Sequence, residues 1–179
     1  LFVLVNSMFH SGVFTWLGVY FEQRYGLGSV GIGLALLGYG VPGFLFGPLI
    51  GRAADRFGRG RLLPLGLGLG ALAAAALIPN TSLLVAGLAV TMLSLGYDMT
   101  QPLFAGIVTS LGGQRPGQAM GLNVFMLFTG FGLGSLLFGE VLRLLDFGKA
   151  LTLFAVVEAL LCVLSVWLFR TEVAAPPKP

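Results

Sequence analysis

Charge is what this sequence has least of. Only 9% of its 179 residues are Asp, Glu, Lys or Arg, whereas soluble domains carry about 25%. A water-facing surface cannot be built from so few charges, so a soluble globular domain is excluded first. Cysteine is nearly absent too. Cys162 is the single one, which rules out an internal disulfide and a cysteine-based metal cluster. One histidine, His10, and no closely spaced carboxylate pair leave poor ingredients for a nucleophile–base dyad or a metal centre. An intramembrane enzyme is therefore disfavoured, and no cofactor or metal is indicated. Stacking aromatics do not accompany the basic segments, so the net charge of +3 is not a nucleic-acid footprint.

What is present is apolar. Hydrophobic residues make up 56% of the chain and mean hydropathy is +0.95. Six apolar segments stand out, at roughly 1–21, 30–50, 62–78, 83–109, 118–141 and 149–169, each near the ~20 residues that a helix needs to span a bilayer. A spanning segment must satisfy its own backbone hydrogen bonds. Long runs without polar alternation do so as helices, not as barrel strands. The expected fold is an all-α membrane protein with six transmembrane helices over 1–170. Residues 171–179, rich in Ala and Pro, read as a disordered cytoplasmic tail. The start at Leu1, without Met or a basic leader, reads as the edge of a piece of a longer chain.

With six spans both termini share one side. The breaks then fall into two groups. Arg52, Arg56, Arg59, Arg61, Arg115, Arg170 and Lys178 lie on the side of the termini; Arg24, Arg143 and Lys149 lie opposite. The positive-inside rule assigns the richer side, with both termini, to the cytoplasm; the expected location is a bacterial inner (plasma) membrane. The 28 glycines include four-residue spacings at Gly43, Gly47 and Gly51, at Gly66 and Gly70, and at Gly130 and Gly134. Such spacing predicts close helix crossings in each of those spans.

The break after the second span reads Gly47-Pro48-Leu49-Ile50-Gly51-Arg52-Ala53-Ala54-Asp55-Arg56-Phe57-Gly58-Arg59-Gly60-Arg61. It resembles the loop signature of the major facilitator superfamily, with Gly51, Asp55, Arg56, Gly58, Arg59 and Arg61 at the matching positions. The resemblance implies half of a twelve-helix fold, with this loop on the cytoplasmic side between the second and third helices. It also implies a role for the loop as a clasp that holds the cytoplasm-closed state. The fourth span lacks the arginine, and the fifth the proline, that mark the N-terminal half of drug-efflux members. Both departures point to the C-terminal half, whose partner would be the other six-helix half, and the partner of Asp55 is expected there. The loop chemistry is legible without the family: Asp55 suits a helix N-terminus, Arg59 and Arg61 suit carboxylates or helix C-termini, and Gly58 allows a sharp turn.

Ionisable groups at membrane depth are costly and default to function. Asp98 lies near the centre of the fourth span. Thr91, Ser94, Asp98 and Gln101 share one helical face, with Pro102 expected to loosen the helix beside them. The resemblance puts that face on the central cavity, and Asp98 is the first candidate for substrate or proton coupling. His10 and Asn6 lie one turn apart near the middle of the first span. His10 stands either as a protonation partner of Asp98 at similar depth or as a buried imidazole bonded to a backbone or hydroxyl oxygen. Glu158 in the sixth span is either a second proton site or a group bonded to a neighbouring helix. Asn123 in the fifth is either interhelical glue or a substrate contact. Glu140 and Glu22 are expected to reach water, Tyr20 and Tyr25 to form an interfacial belt, and Trp16 stands as a candidate for the cavity. These features together point to a secondary active transporter of small organic molecules, proton-coupled and a candidate for efflux. A non-transporting receptor or scaffold with the same fold is the alternative.

Overall fold

In the computed structural model, residues 1–170 are described, and the expected tail at 171–179 lies outside them. Every element among the described residues is a helix. They are α1 (Phe2–Tyr25), α2 (Ser29–Leu36), α3 (Val41–Phe57), α4 (Arg59–Ala76), α5 (Leu83–Leu111), α6 (Pro116–Leu144) and α7 (Phe147–Leu168). Seven helices make six spans because α2 and α3 share one. Five stretches are long and apolar enough to cross a bilayer, Ser29–Phe57 counted whole. The shorter α4, with Arg59 and Arg61 in its first turn, is the sixth.

Two expectations are corrected here. The second span is not one rod. It breaks at residues 37–40, where Gly40 adopts φ +91°, a conformation that only glycine takes freely. Gly40 caps α3, and Pro42 follows in the first turn, where its missing N–H costs no hydrogen bond. The basic segment from Gly51 to Arg61 is not a loop either. Helix α3 continues to Phe57 and α4 starts at Arg59, so Gly58 alone joins them, at φ +86°.

Helix α1 packs mainly on α6, and α4 on α5 and α7. Glycine sets the closeness of these crossings. A Cβ at Gly130 would fall 2.6 Å from the Leu4 carbonyl oxygen, and one at Gly96 2.8 Å from that of Gly66. The predicted close approaches therefore hold for Gly66, Gly70, Gly130 and Gly134. They fail for Gly47 and Gly51, where an added Cβ would meet nothing within 4 Å. Their face of α3 looks onto a groove, not onto a helix.

At the end opposite the Gly58 junction, side chains tie loops to helices. Tyr20 is buried, its hydroxyl donating to the Leu77 carbonyl at 2.8 Å, and Tyr25 donates to Thr81 at 3.0 Å. Tyr20 is thus a core anchor where an interfacial belt was expected. Arg24 donates to the carbonyls of Leu77 and Ile78 and to Asn80, closing the C-terminus of α4, where backbone oxygens lack partners. Asp146 caps α7, and the Lys149 amide that it accepts from holds its carboxyl below the ordinary range.

Candidate functional site

The interior is layered. One apolar cluster, with Phe9, Leu17, Phe21, Leu93 and Leu151, fills the half of the bundle towards Arg24. A second, with Val3, Leu63, Leu67, Phe104 and Leu161, fills the half towards the Gly58 junction. Six buried polar residues of α1, α5 and α7 sit where these helices pass from one cluster to the other: Asn6, Ser7, His10, Ser94, Thr100 and Glu158. The α1 crossings bring Asn6 onto α5, where its Nδ2 donates to Thr100 Oγ1 at 3.2 Å. Gly70 leaves room for the His10 imidazole, and the Tyr97 ring stands 5.2 Å from it, edge to face.

Most of this layer is chemically unfinished. Both nitrogens of His10, both oxygens of Glu158, Asn6 Oδ1 and Ser7 Oγ are buried without a hydrogen-bond partner among the described residues. Buried polar groups are satisfied in the great majority of native structures, and exceptions ask for a cause. Glu158 sits on α7, which packs against α4 and α1, and it points inward with no exposed surface. Asn123, on α6, is buried too, with Oδ1 unpartnered.

Asp98 belongs to a different face of α5. It shares depth with His10 through its neighbour Tyr97, but its own contacts are with the second span. Its Oδ2 accepts from the Ser94 hydroxyl at 3.0 Å, and Ser94 Oγ accepts from the Gly40 amide at 2.8 Å. A Cβ at Gly43 would lie 2.7 Å from Asp98 Oδ1. The polar stripe of α5 therefore meets the helix break: Thr91 lies against Gly38, Ser94 bonds Gly40, and Asp98 covers Gly43. Asp98 is thereby a carboxylate at the positive end of a half-helix, a placement that the helix dipole favours. Gln101, one turn further, has an unpartnered Nε2.

From Asp98 a groove of about 500 Å³ runs between α3 and α5, past Gly47 and Gly51, to Asp55 and Arg59. Arg59 lies against Gly106 of α5, where a Cβ would fall 3.0 Å from its Cζ. Asp55 is exposed, and no ion pair to it forms among the described residues. Arg56 and Arg61 are exposed as well. Glu140 pairs with Arg143 at 2.7 Å near the far end of α6, both well exposed. Trp16 is turned to α6, where its indole donates to the Ser135 carbonyl at 3.0 Å.

Sequence reasoning missed the helix break and its partners. Gly40 followed by Val41-Pro42 is a helix-start signal, and it lay unread inside an apolar run. Thr100 was missed because a threonine on a buried face carries no signal of its own.

A bundle of spanning helices, with polar residues at mid-depth and a basic turn at one end, defines a multi-pass integral membrane protein. The sequence model of the Major Facilitator Superfamily matches residues 1–179, and the chain belongs to that family. It is a membrane transporter in the general sense that the family defines. No curated protein and no solved structure matches it.

Proposed function

We propose that the protein is a proton-coupled secondary transporter of small organic molecules, working by alternating access, with Asp98 as the coupling carboxylate. The observation that carries this reading is Asp98 itself: a half-buried acid at mid-depth, opening onto a groove that reaches Asp55 and Arg59. Intramembrane carboxylates commonly mark proton and substrate pathways, and sites at discontinuous helices are a recurring transporter design. The mostly apolar faces around the site suit a lipophilic organic substrate, and export is the proposed direction. His10, Asn6, Gln101, Ser94, Glu158 and Asn123 are proposed as the polar groups that serve substrate or proton. The Gly51–Arg61 segment is proposed as the cytoplasmic clasp, with both termini on that side of a bacterial inner membrane. Its partner is the other six-helix half, which supplies the countercharge for Asp55.

The test is flux in vesicles containing the full chain. Asp98→Asn should abolish transport driven by a pH gradient while leaving the protein folded by circular dichroism. Unchanged gradient-driven flux in that variant removes the assignment of Asp98. Substrate binding without flux in the unmodified protein would favour a receptor.

A further inference from the structure

The broken second span and the acid beside it form one device. We propose that Asp98 is a proton-operated latch on α3: as a carboxylate it holds the first turn of that half-helix against α5, and on protonation it lets go, so that the break at residues 37–40 flexes. This proposal rests on the reading of Asp98 as the protonatable group of the transport site, and adds what its protonation moves.

The hydrogen bonds around the break can be traced group by group. At the end of α2, the Tyr39 amide donates to the Leu36 carbonyl at 2.9 Å, and in α3 the Phe44 amide reaches Gly40 at 3.2 Å. Among the described residues the Gly40 amide has only Ser94 Oγ as acceptor, and Ser94 in turn donates its proton to Asp98. Gly43 lies close against the same carboxyl, where an added Cβ would fall 2.7 Å from Oδ1. Two links thus converge on one acid: Gly40 through Ser94, and the positive end of α3 through space. Adding a proton removes the charge and one acceptor oxygen, weakening both together. Neighbouring packing is sparse enough to let the segment move. None of the α2 residues is buried, and only Pro42 and Ile50 are buried in α3. Glycine at 40 supplies the backbone freedom. The proton has a route, since the groove leads from Asp98 past Gly47 and Gly51 to the chain's Arg59 end.

Other titratable groups near the latch are few. Tyr97 adjoins Asp98 on α5, Tyr39 lies on the break with its ring 4.1 Å from that of Phe14, and His10 on α1 faces Tyr97. Along the groove, α3 brings Asp55 and α4 brings Arg59. Helix α2 has no ionisable residue, and the ionisable residues of α6, Glu140 and Arg143, pair with each other.

The experiment is pulsed electron paramagnetic resonance on the full chain in nanodiscs. The background is Cys162→Ala, with spin labels at Phe44→Cys on exposed α3 and Leu160→Cys on exposed α7. A control pair uses Leu84→Cys with Leu160→Cys. Between about pH 5 and about pH 9, a range in which a membrane-buried carboxyl can titrate, the α3 distance should change while the control stays fixed. Asp98→Asn should hold the low-pH distance at every pH, and Ser94→Ala should shift the midpoint. An α3 distance that ignores pH, or one that titrates equally in Asp98→Asn, overturns the latch. Should Asp98→Asn fail to fold, an unshifted midpoint in Ser94→Ala overturns it instead. The two readings separate cleanly. Movement with pH but no proton-coupled flux keeps the latch and removes the transport reading, while Asp98-dependent flux with a fixed α3 does the reverse.

Discussion

At the scale of single residues, the sharpest contrast is between two acids at mid-depth. Asp98 has a hydroxyl and a helix end to stabilise its charge. Glu158 has neither, and both its oxygens lie in a closed interior. A buried polar group without a partner costs about 1–3 kcal/mol, and replacing buried ionisable groups by apolar ones is often stabilising. Glu158→Leu is therefore expected to raise the thermal midpoint of the detergent-solubilised protein, measured by differential scanning fluorimetry. A lower midpoint would mean that the Glu158 carboxyl is hydrogen-bonded in the solubilised protein and would remove this reading. The comparison also tells which residues were legible in the sequence. Asn6, His10, Ser94, Asp98 and Glu158 were readable because polarity at membrane depth is rare. Their partners were not, since which helix faces which is decided by glycine contacts that a single sequence does not display.

At the scale of elements, glycine spacing carries two meanings that look alike on paper. Gly130 touches α1 through the backbone, and any side chain there collides with Leu4 and Ser7. Gly47 has the same four-residue rhythm yet faces open space. Overpacking a close contact costs about 1–3 kcal/mol. Gly130→Ala should thus lower stability by that order, while Gly47→Ala should leave it within about 0.5 kcal/mol, both read from denaturation in mild detergent. Equal effects would mean that the groove is closed in the native protein. Spans were legible to within a few residues because hydropathy fixes them, except at the end of the second, where helix α3 carries its charged residues on to Phe57. The break at 37–40 and the one-residue junction at Gly58 escaped because both lie within runs whose composition favours continuous helix or generic loop. Each depends on a single positive-φ glycine among 28 glycines.

At the scale of the whole molecule, the ends of the bundle differ in how they treat their cations. Arg24, Arg143 and Lys149 each find oxygen partners nearby. Arg56 and Arg61, at the other end, make no ion pair among the described residues. Unpaired cations fit the leaflet that carries anionic lipid. A membrane-impermeant maleimide should therefore label Arg56→Cys, in a Cys162→Ala background, only from the cytoplasmic side, and Lys149→Cys only from the opposite side. The reverse pattern would invert the topology and remove the clasp reading.

One consequence follows from the two glycines that bound α3. Helix α3, 17 residues and about 25 Å long at 1.5 Å per residue, meets its neighbours through positive-φ Gly40 at one end and Gly58 at the other. On the proposed latch, a tilt begun beside Asp98 is carried by α3 itself towards its arginine-bearing end, so a proton arriving at mid-depth would be felt at the membrane surface as mechanical displacement, with no chain of intervening side chains needed to carry the signal.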